Sequence, residues 1–405
     1  MSIIGKRKEE EEMEEIEIVI AGGGICGLAT ALALHRKGIK SVILERAECV
    51  RATGSAIGVF PNGWRALDQL GVGSDLRPTA VPLLGVRDVS LHNGKRREST
   101  FSLTSVGEGR CLKRSDLVKA LANHLPSGTI RFNSQIVSVE LDPLSSYPIL
   151  HLKDGTTIRA KVLIGCDGAN SVIGDFLGLK PKKVFSSLAV RGLTEFANRH
   201  GLPIEGVRIR RGNTMSGGVP LNDHLLYWFL LHKWNPTDLA KVAHDPELIQ
   251  KMAIETLIEH KFPAERIEIV KRCDLNSLSL THLRYRSPWE VLLGNFRKGT
   301  VTVAGDAMHV MGPFLGQGGS AAMEDAVVLA RCLAGKLGSK QKIEEALDEY
   351  IKERRMRLVW LSTQTYLVGS LLDTSSLIKK IFIMIFMALL FRNPTAHAKY
   401  DCGRL

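Results

Sequence analysis

No two of the seven cysteines, at 26, 49, 111, 166, 273, 332 and 402, stand in a CxxC pair, and their number is odd. Neither a disulfide framework nor a cysteine zinc site is therefore expected, and the thiols read as reduced. No serine–histidine–acid set and no metal-like histidine spacing stands out, so no catalytic triad and no metal are expected. No basic run carries interleaved aromatics and no recognition motif is found, which argues against nucleic acid as a partner. The apolar run IFIMIFMALLF (381–391) has eleven residues, short of the about twenty a spanning helix needs. It is expected to be a final helix docked on the core, with an interfacial helix flanked by snorkelling Lys379, Lys380 and Arg392 as the alternative. The N-terminus has neither an apolar signal core nor an Arg/Ser-rich transit pattern. The expected location is the cytoplasm, with peripheral membrane attachment as the variant.

Apolar content of 44% and charge of 24% are those of a globular enzyme. The first fifteen residues hold six glutamates against three cations, so the remaining chain carries +15 rather than the overall +12. Such a balance favours anionic ligands or an anionic membrane surface. The near-contiguous carboxylates of 1–15 repel one another and predict a disordered leader.

EIEIVIA, a glycine turn, an amphipathic stretch to Lys37 and SVILE then form a strand–helix–strand unit. Gly22, Gly24 and Gly27 in GGGICG fit GxGxxG at that turn. The first glycine permits the turn, the second lets a pyrophosphate approach, and the third lets helix and strand pack closely. The helix N-terminus offers free N–H groups to phosphate. Glu45, ending the next strand, can accept hydrogen bonds from ribose hydroxyls, which favours FAD or NAD over NADP at this site. Arg46 can stack on adenine or face solvent.

Pro61 opens a helix (PNGWRALDQL), and Ser115 is expected to cap DLVKALANHL. Arg110 and Arg114 precede that second helix and read equally as pyrophosphate ligands or a solvated pair. Four short strand-like runs lead to LIGCDGANS, with Asp167 and Gly168 at its turn. Between about 180 and 290, alternating strands replace this pattern and predict an inserted β-rich domain. Its Tyr227, Trp228 and Phe229, and Arg191 or Arg211, are candidates for a substrate pocket.

TVTVAGDAMHVMGPFLGQGGSAA (300–322) then repeats the strand–glycine–helix theme. Asp306 at the strand's carboxyl edge can bind ligand hydroxyls, Pro313 fixes a bend, and the small residues around Gly316, Gln317, Gly318 and Gly319 let a planar ring lie against a helix N-terminus. The positive dipole end there suits the negative charge of a reduced flavin. Two glycine-rich helix starts can hold the two ends of one long cofactor, best read as FAD. His309 reads as a structural hydrogen-bonding residue.

GxGxxG with Glu45, the Asp167–Gly168 turn and GDAMHVMGPFLGQGG at 305–319 occur in an order that resembles the class A (single-component) FAD-dependent aromatic hydroxylases. The likeness covers nearly all of the chain after residue 15. The chain is similar in particular to plant monooxygenases related to salicylate hydroxylase and zeaxanthin epoxidase, whose YDCG ending stands here at 400–403. The resemblance implies an α/β fold: a Rossmann-like FAD-binding domain of the para-hydroxybenzoate hydroxylase kind, an inserted β-sheet substrate domain and C-terminal helices. The expected FAD-binding parts are 16–80, 110–180 and 291–340, the substrate parts 81–109 and 181–290, and the terminal helices 341–405.

By the same resemblance, Gly22, Gly24, Gly27 and Glu45 hold the adenosine diphosphate of FAD, and Arg114 lies near its phosphates or ribityl chain. Asp306 binds the ribityl hydroxyls, while Pro313 and the Gly316–Gly319 backbone lie against the ring. Asp167 and Gly168 are associated with both FAD and NAD(P)H. NAD(P)H would visit as a transient cosubstrate, in keeping with the lack of a second GxGxxG. O2 would then be activated as a flavin C4a-hydroperoxide that hydroxylates a small aromatic substrate. An isoprenoid or lipid epoxidase, and a non-catalytic flavin-fold binding protein, are the alternatives. The chain departs from the family pattern at Ser320, where asparagine is frequent and a changed ring contact is expected, and in lacking an arginine after the Asp-Gly turn.

Overall fold

The computed structural model describes residues 13–50, 56–92, 95–235, 239, 242, 245–393 and 395–405. Residues 1–12 of the expected leader lie outside them. Glu14 and Glu15 are not leader: they open the first strand, Glu14–Ala21, where Arg131 and Arg159 pair with them. Those cations let two like charges of a repelling run open a central strand of a sheet.

Ile18, Val19 and Ile20 of that strand are fully buried. Parallel partners flank it, Val42–Leu44 on one side and Thr157–Gly165 on the other, with Ile130–Arg131 and Val301–Val303 beyond them. A parallel sheet is covered on both faces, which explains its near-continuous apolar strands. The helix Ile25–Arg36 is buried from Cys26 to Leu34 and packs against the helix Gly318–Leu333. His35 and Arg36 fall in its last turn, where cations suit the dipole. The helix Pro61–Leu70 has proline in its first turn, as expected. Ser115 is not a cap. The helix Arg114–Asn123 starts one residue earlier with Lys113 at the N-cap, so Ser115 lies inside the first turn.

A second, seven-stranded sheet draws on Gly85–His92, Lys95–Ser102, Lys183–Glu195, Gly206–Arg211, Thr214–Pro220, Leu225–His232 and Ser279–Tyr285. Its two faces follow strand alternation. Val190, Ile209, Leu226, Trp228 and Leu230 point to the helices Pro246–Glu259 and Ala264–Lys271 and form one apolar core. Arg191, Arg208, Arg210, Tyr227 and Phe229 occupy the other face and look toward the glycine-rich junctions. Trp228, expected in the pocket, thus faces away from it.

The long helix Lys340–Asp373 packs on Gly318–Leu333. The last helix, Leu377–Leu390, is not docked as expected: none of its residues is buried. Among the described residues no helix is long and apolar enough to cross a membrane.

Candidate active site

The two glycine-rich junctions open into one elongated cleft with two lobes, of about 410 and 570 Å³, which share Gly24, Arg114, Cys166 and Gly168. The smaller lobe is lined by the first glycine turn, Glu45, Arg46 and Asp167. The larger runs from Asp306, Pro313 and Gly318 to the open face of the second sheet.

The glycines of the first turn differ in what they make room for. Gly22 has φ +95°, and a Cβ there would lie 2.8 Å from the Cys166 carbonyl oxygen. At Gly27 a Cβ would lie 1.9 Å from the Gly22 carbonyl oxygen, so this position closes the helix onto the turn. A Cβ at Gly24 would meet no protein atom within 4 Å. The room beside Gly24 faces the cleft at a helix N-terminus, which suits a pyrophosphate.

Glu45 is buried and accepts the N–H groups of Gly23 (2.6 Å) and Ala47 (2.9 Å). A carboxylate has about four lone-pair positions, so it retains acceptor capacity for a ribose hydroxyl. Arg46 is exposed and lines the same lobe. Asp167 accepts the Val172 N–H through Oδ2 (2.8 Å), while its buried Oδ1 has no protein partner. Burial pushes its carboxyl above the ordinary value, with Ser171 and backbone N–H groups opposing.

Asp306 follows Gly305, whose φ of +61° turns the chain at the strand end. Its carboxylate is open to the cleft yet deep within it: desolvation raises its pKa, opposed by His309 and Arg114. Pro313 starts a single 3-10 turn, Gly316 takes φ +62°, and the helix Gly318–Leu333 begins against the larger lobe. A Cβ at Gly319 would lie 2.6 Å from Ile57 Cδ1, so growth there requires that terminal methyl to turn away.

Three residues expected at the cofactor sit elsewhere. Arg110 is outside the cleft: Glu108 takes its Nε–H at 2.8 Å, and its Nη1 reaches the carbonyls of Ala80 and Arg77. Gln317 is buried and accepts a hydrogen bond from Asn62 Nδ2 at 2.8 Å instead of facing the cleft. Ser320 has no accessible surface and lies against the helix Pro61–Leu70. A Cβ at Gly63 would come within 2.6 Å of its Oγ, so this departure from the family pattern alters helix packing, not a ring contact.

Beneath the junction lies a charge network that the motifs did not announce. Arg354, without accessible surface, donates to Asp325 Oδ1 and Glu324 Oε2, each at 2.7 Å. Arg357 also donates to Glu324 (3.0 Å), and Asn62 bridges Glu324 and Gln317. Asp325 Oδ2 accepts the Gly305 N–H (2.9 Å) and contacts His309 Nε2 (2.6 Å), which ties the network to the backbone just before Asp306. Tyr400 of the YDCG ending lies under Arg357 and Arg354, whose guanidinium carbons are 4.4 and 5.4 Å from its ring centroid. The sequence signal was Glu324–Asp325 inside an otherwise apolar helix, since buried carboxylates require paired cations.

Three guanidiniums reach the larger lobe from the second sheet. Arg208 is neutralised by a two-point pair with Asp88, both bonds 2.7 Å. Arg191 donates to the hydroxyl of Thr281 (2.8 Å). The Arg210 guanidinium makes no hydrogen bond or ion pair with another described residue; desolvation, then Arg208, lowers its pKa, with the Asp88 charge opposing. Burial pushes the neighbouring Tyr227 phenol up to about 12, so it stays neutral. Arg211, the earlier candidate, faces the other way and donates to the Lys261 carbonyl. The alternation in VRIRR, with Val207 and Ile209 on the core face, identifies Arg208 and Arg210 as the cleft-facing pair.

The FAD binding domain family matches residues 15–364, and the chain belongs to it. Monooxygenase 1 of Arabidopsis thaliana is 55% identical to it, over 97% of this chain and 100% of that protein. Monooxygenase 2 of the same plant is 37% identical, over 98% and 99%. Klebsiella pneumoniae HpxO, solved with FAD and uric acid, superposes with a TM-score of 0.79 at 21% identity, over 95% of this chain and 97% of that one. A variant of 2-methyl-3-hydroxypyridine-5-carboxylic acid oxygenase gives 0.73 at 22%, over 96% and 98%. The protein is an FAD-dependent monooxygenase with the fold of the class A flavin hydroxylases.

Proposed function

We propose that this monooxygenase uses NAD(P)H and O2 to hydroxylate a small aromatic substrate carrying an anionic group. The observation that carries the reading is Arg210, whose guanidinium has no hydrogen-bond or ion-pair partner among the described residues and which lines, with Tyr227 and Phe229, the lobe that Asp306 and Pro313 also line. Two solved neighbours support it by name: one is bound to uric acid and the other is an oxygenase of a pyridine carboxylic acid. The epoxidation alternative needs a long apolar tunnel, and the four arginines that line the lobe oppose that. The retained Gly24, Glu45 and Asp306 oppose a non-catalytic binding protein. The reading includes a peripheral membrane contact through Leu377–Leu390.

When bound, FAD supplies the chemistry that accepts a hydride and activates O2. The residues of the chain bind, orient and exclude water. Gly22, Gly24 and Gly27 would shape the turn for the pyrophosphate, Glu45 and Arg46 would attend the adenosine end, and Arg114 would neutralise phosphate. Asp306 would take ribityl hydroxyls. Pro313, Gly316, Gly318 and Gly319 would hold the ring end, where the dipole of the helix Gly318–Leu333 favours negative charge. Asp167 Oδ1 offers a further acceptor. The second sheet roofs the lobe and keeps it dry.

NAD(P)H oxidation by the FAD-loaded protein, with peroxide quantified across aromatic acids and their neutral amides, tests this reading. An acid should stimulate oxidation with little peroxide, and its amide should not. Arg210→Met should raise KM for that acid by roughly thirtyfold, the equivalent of about 2 kcal/mol for a lost charge-assisted hydrogen bond. Arg210→Lys should restore part of it. Stimulation by neutral isoprenoids alone would reverse the assignment.

A further inference from the structure

The helix Leu377–Leu390 rests on the long helix by a narrow stripe. Ile383 and Met387 are partly covered, and Phe391 meets Trp360 edge-on with ring centroids 5.8 Å apart. Its other apolar side chains project into solvent, with Ile378 68%, Phe382 69% and Leu389 70% exposed. At about 100° per residue, the exposed apolar positions cover roughly two-thirds of its circumference. A protein groove buries one face of a helix, whereas lipid can accept an arc this wide. Fourteen residues reach only about 21 Å, short of the roughly 30 Å hydrocarbon core, so the helix can lie in a bilayer surface but not cross it.

The charge pattern selects the kind of surface. No acidic residue occurs between Asp373 and Asp401, whereas Lys379, Lys380, Arg392 and Lys399 do. Cations flanking an apolar stretch complement anionic headgroups and can snorkel to them. The root of this helix also adjoins the substrate lobe. Lys380, Leu371 and Asp373 line a recess of about 50 Å³ that shares Arg210, Met215, Leu231, Phe314 and Leu372 with the larger lobe. Asp373 is held there by hydrogen bonds from Ser186, and Gly369 leaves room for Phe185 and Phe314, both within 2.6 Å of where a Cβ would stand.

We propose that Leu377–Leu390 seats the enzyme on an anionic bilayer and that this recess is where an amphipathic aromatic anion passes from lipid toward Arg210. The cationic rim, Lys380 first and Arg210 behind it, leads the anionic group inward while the aromatic body leaves the lipid. The proposal rests on the substrate reading above.

The test uses the full chain loaded with FAD, in flotation with phosphatidylcholine vesicles with or without phosphatidylserine. Wild type should float with the anionic vesicles, and less so at high salt. The double variant F382E/I385E should stay behind while keeping its FAD and thermal transition, because both side chains are exposed. Failure of wild type to float, or equal flotation of the variant, overturns the membrane seat. So does self-association of wild type that the variant abolishes, which would make the face a protein interface.

Pyrenebutyrate, whose fluorescence bound flavin quenches, then probes the route. From solution, wild type and F382E/I385E should both quench it, and R210M should not. From anionic vesicles, wild type should quench it at least about tenfold faster than F382E/I385E, as surface localisation raises effective concentration. No quenching from solution would defeat the anion-cleft reading. Equal rates from vesicles would defeat the lipid route and leave that reading standing.

Discussion

Gly27→Ala should yield a protein that no longer retains FAD, and Gly24→Ala should lose FAD for a different reason. At Gly27 the new methyl would sit 1.9 Å from the Gly22 carbonyl oxygen, so that peptide must retreat by roughly 1 Å. The displaced group belongs to the turn that faces the pyrophosphate. A cost of about 3 kcal/mol, which is roughly a hundredfold in FAD affinity, is expected with a lowered melting temperature even without cofactor. At Gly24 the methyl meets no protein atom, and the backbone (φ −80°, ψ −174°) accepts any residue. The FAD-free Gly24→Ala protein should melt within about 1 kcal/mol of wild type, as an N-cap change alone allows. Its FAD affinity should nonetheless fall by roughly tenfold or more, because the methyl occupies the phosphate's approach. Titration with FAD and melting of both apo-proteins check the pair. Equal loss of apo stability in the two would refute the different roles given to these glycines.

The second large effect is expected at Arg354. Arg354→Met fills similar volume but leaves Glu324 and Asp325 buried with less compensation, and removing one partner of a buried pair costs roughly 3–5 kcal/mol. Because Asp325 also holds the Gly305 N–H, the loss should reach the Asp306 turn and weaken FAD retention as well. Arg354→Lys should recover little, since one ammonium cannot reproduce a fork that reaches both carboxylates.

The same network sets a pH dependence. Burial alone would raise the Asp325 carboxyl, but His309 and then Arg354 outweigh it and hold the group at about 2. A carboxylate depressed in the folded state contributes stability that is complete above its unfolded value, near about 4, and is lost as pH falls through its folded value. Glu324 is lowered in the same sense by Arg354 and Arg357 against its burial. Wild-type stability should therefore decline between about pH 4 and 2. In Arg354→Met that decline should be much smaller, because folded-state carboxylates without Arg354 regain protons nearer the unfolded value and the two states then titrate together. Denaturant melts across acidic pH would show this, and superimposable profiles would contradict it.

The placement of the cofactor half of the candidate site was legible because GxGxxG, Glu45 and the 305–319 junction are strand-end features whose backbone geometry is fixed within a few residues. What failed depended mostly on neighbours distant in sequence. Arg110 was captured by the carbonyls of Arg77 and Ala80 together with the nearby Glu108, and Gln317 turned toward Asn62. Ser320 met Gly63 of another helix. Arg210 was missed by one position, although the apolar alternation around Ile209 already fixed which arginines share a face. The Glu324–Arg354 network spans two helices and the YDCG segment, so no single motif could display it. The final helix resisted for the opposite reason: eleven apolar residues imply burial, and the protein provides no core to bury them in.

The most direct test of the whole account is a turnover of the FAD-loaded enzyme under isotopically heavy O2, with the aromatic acid that best stimulates NAD(P)H oxidation. The account predicts one heavy atom in the hydroxylated product, the other in water, and product formed nearly one for one with NAD(P)H consumed. Heavy oxygen recovered only as peroxide, with the acid unchanged, would contradict it.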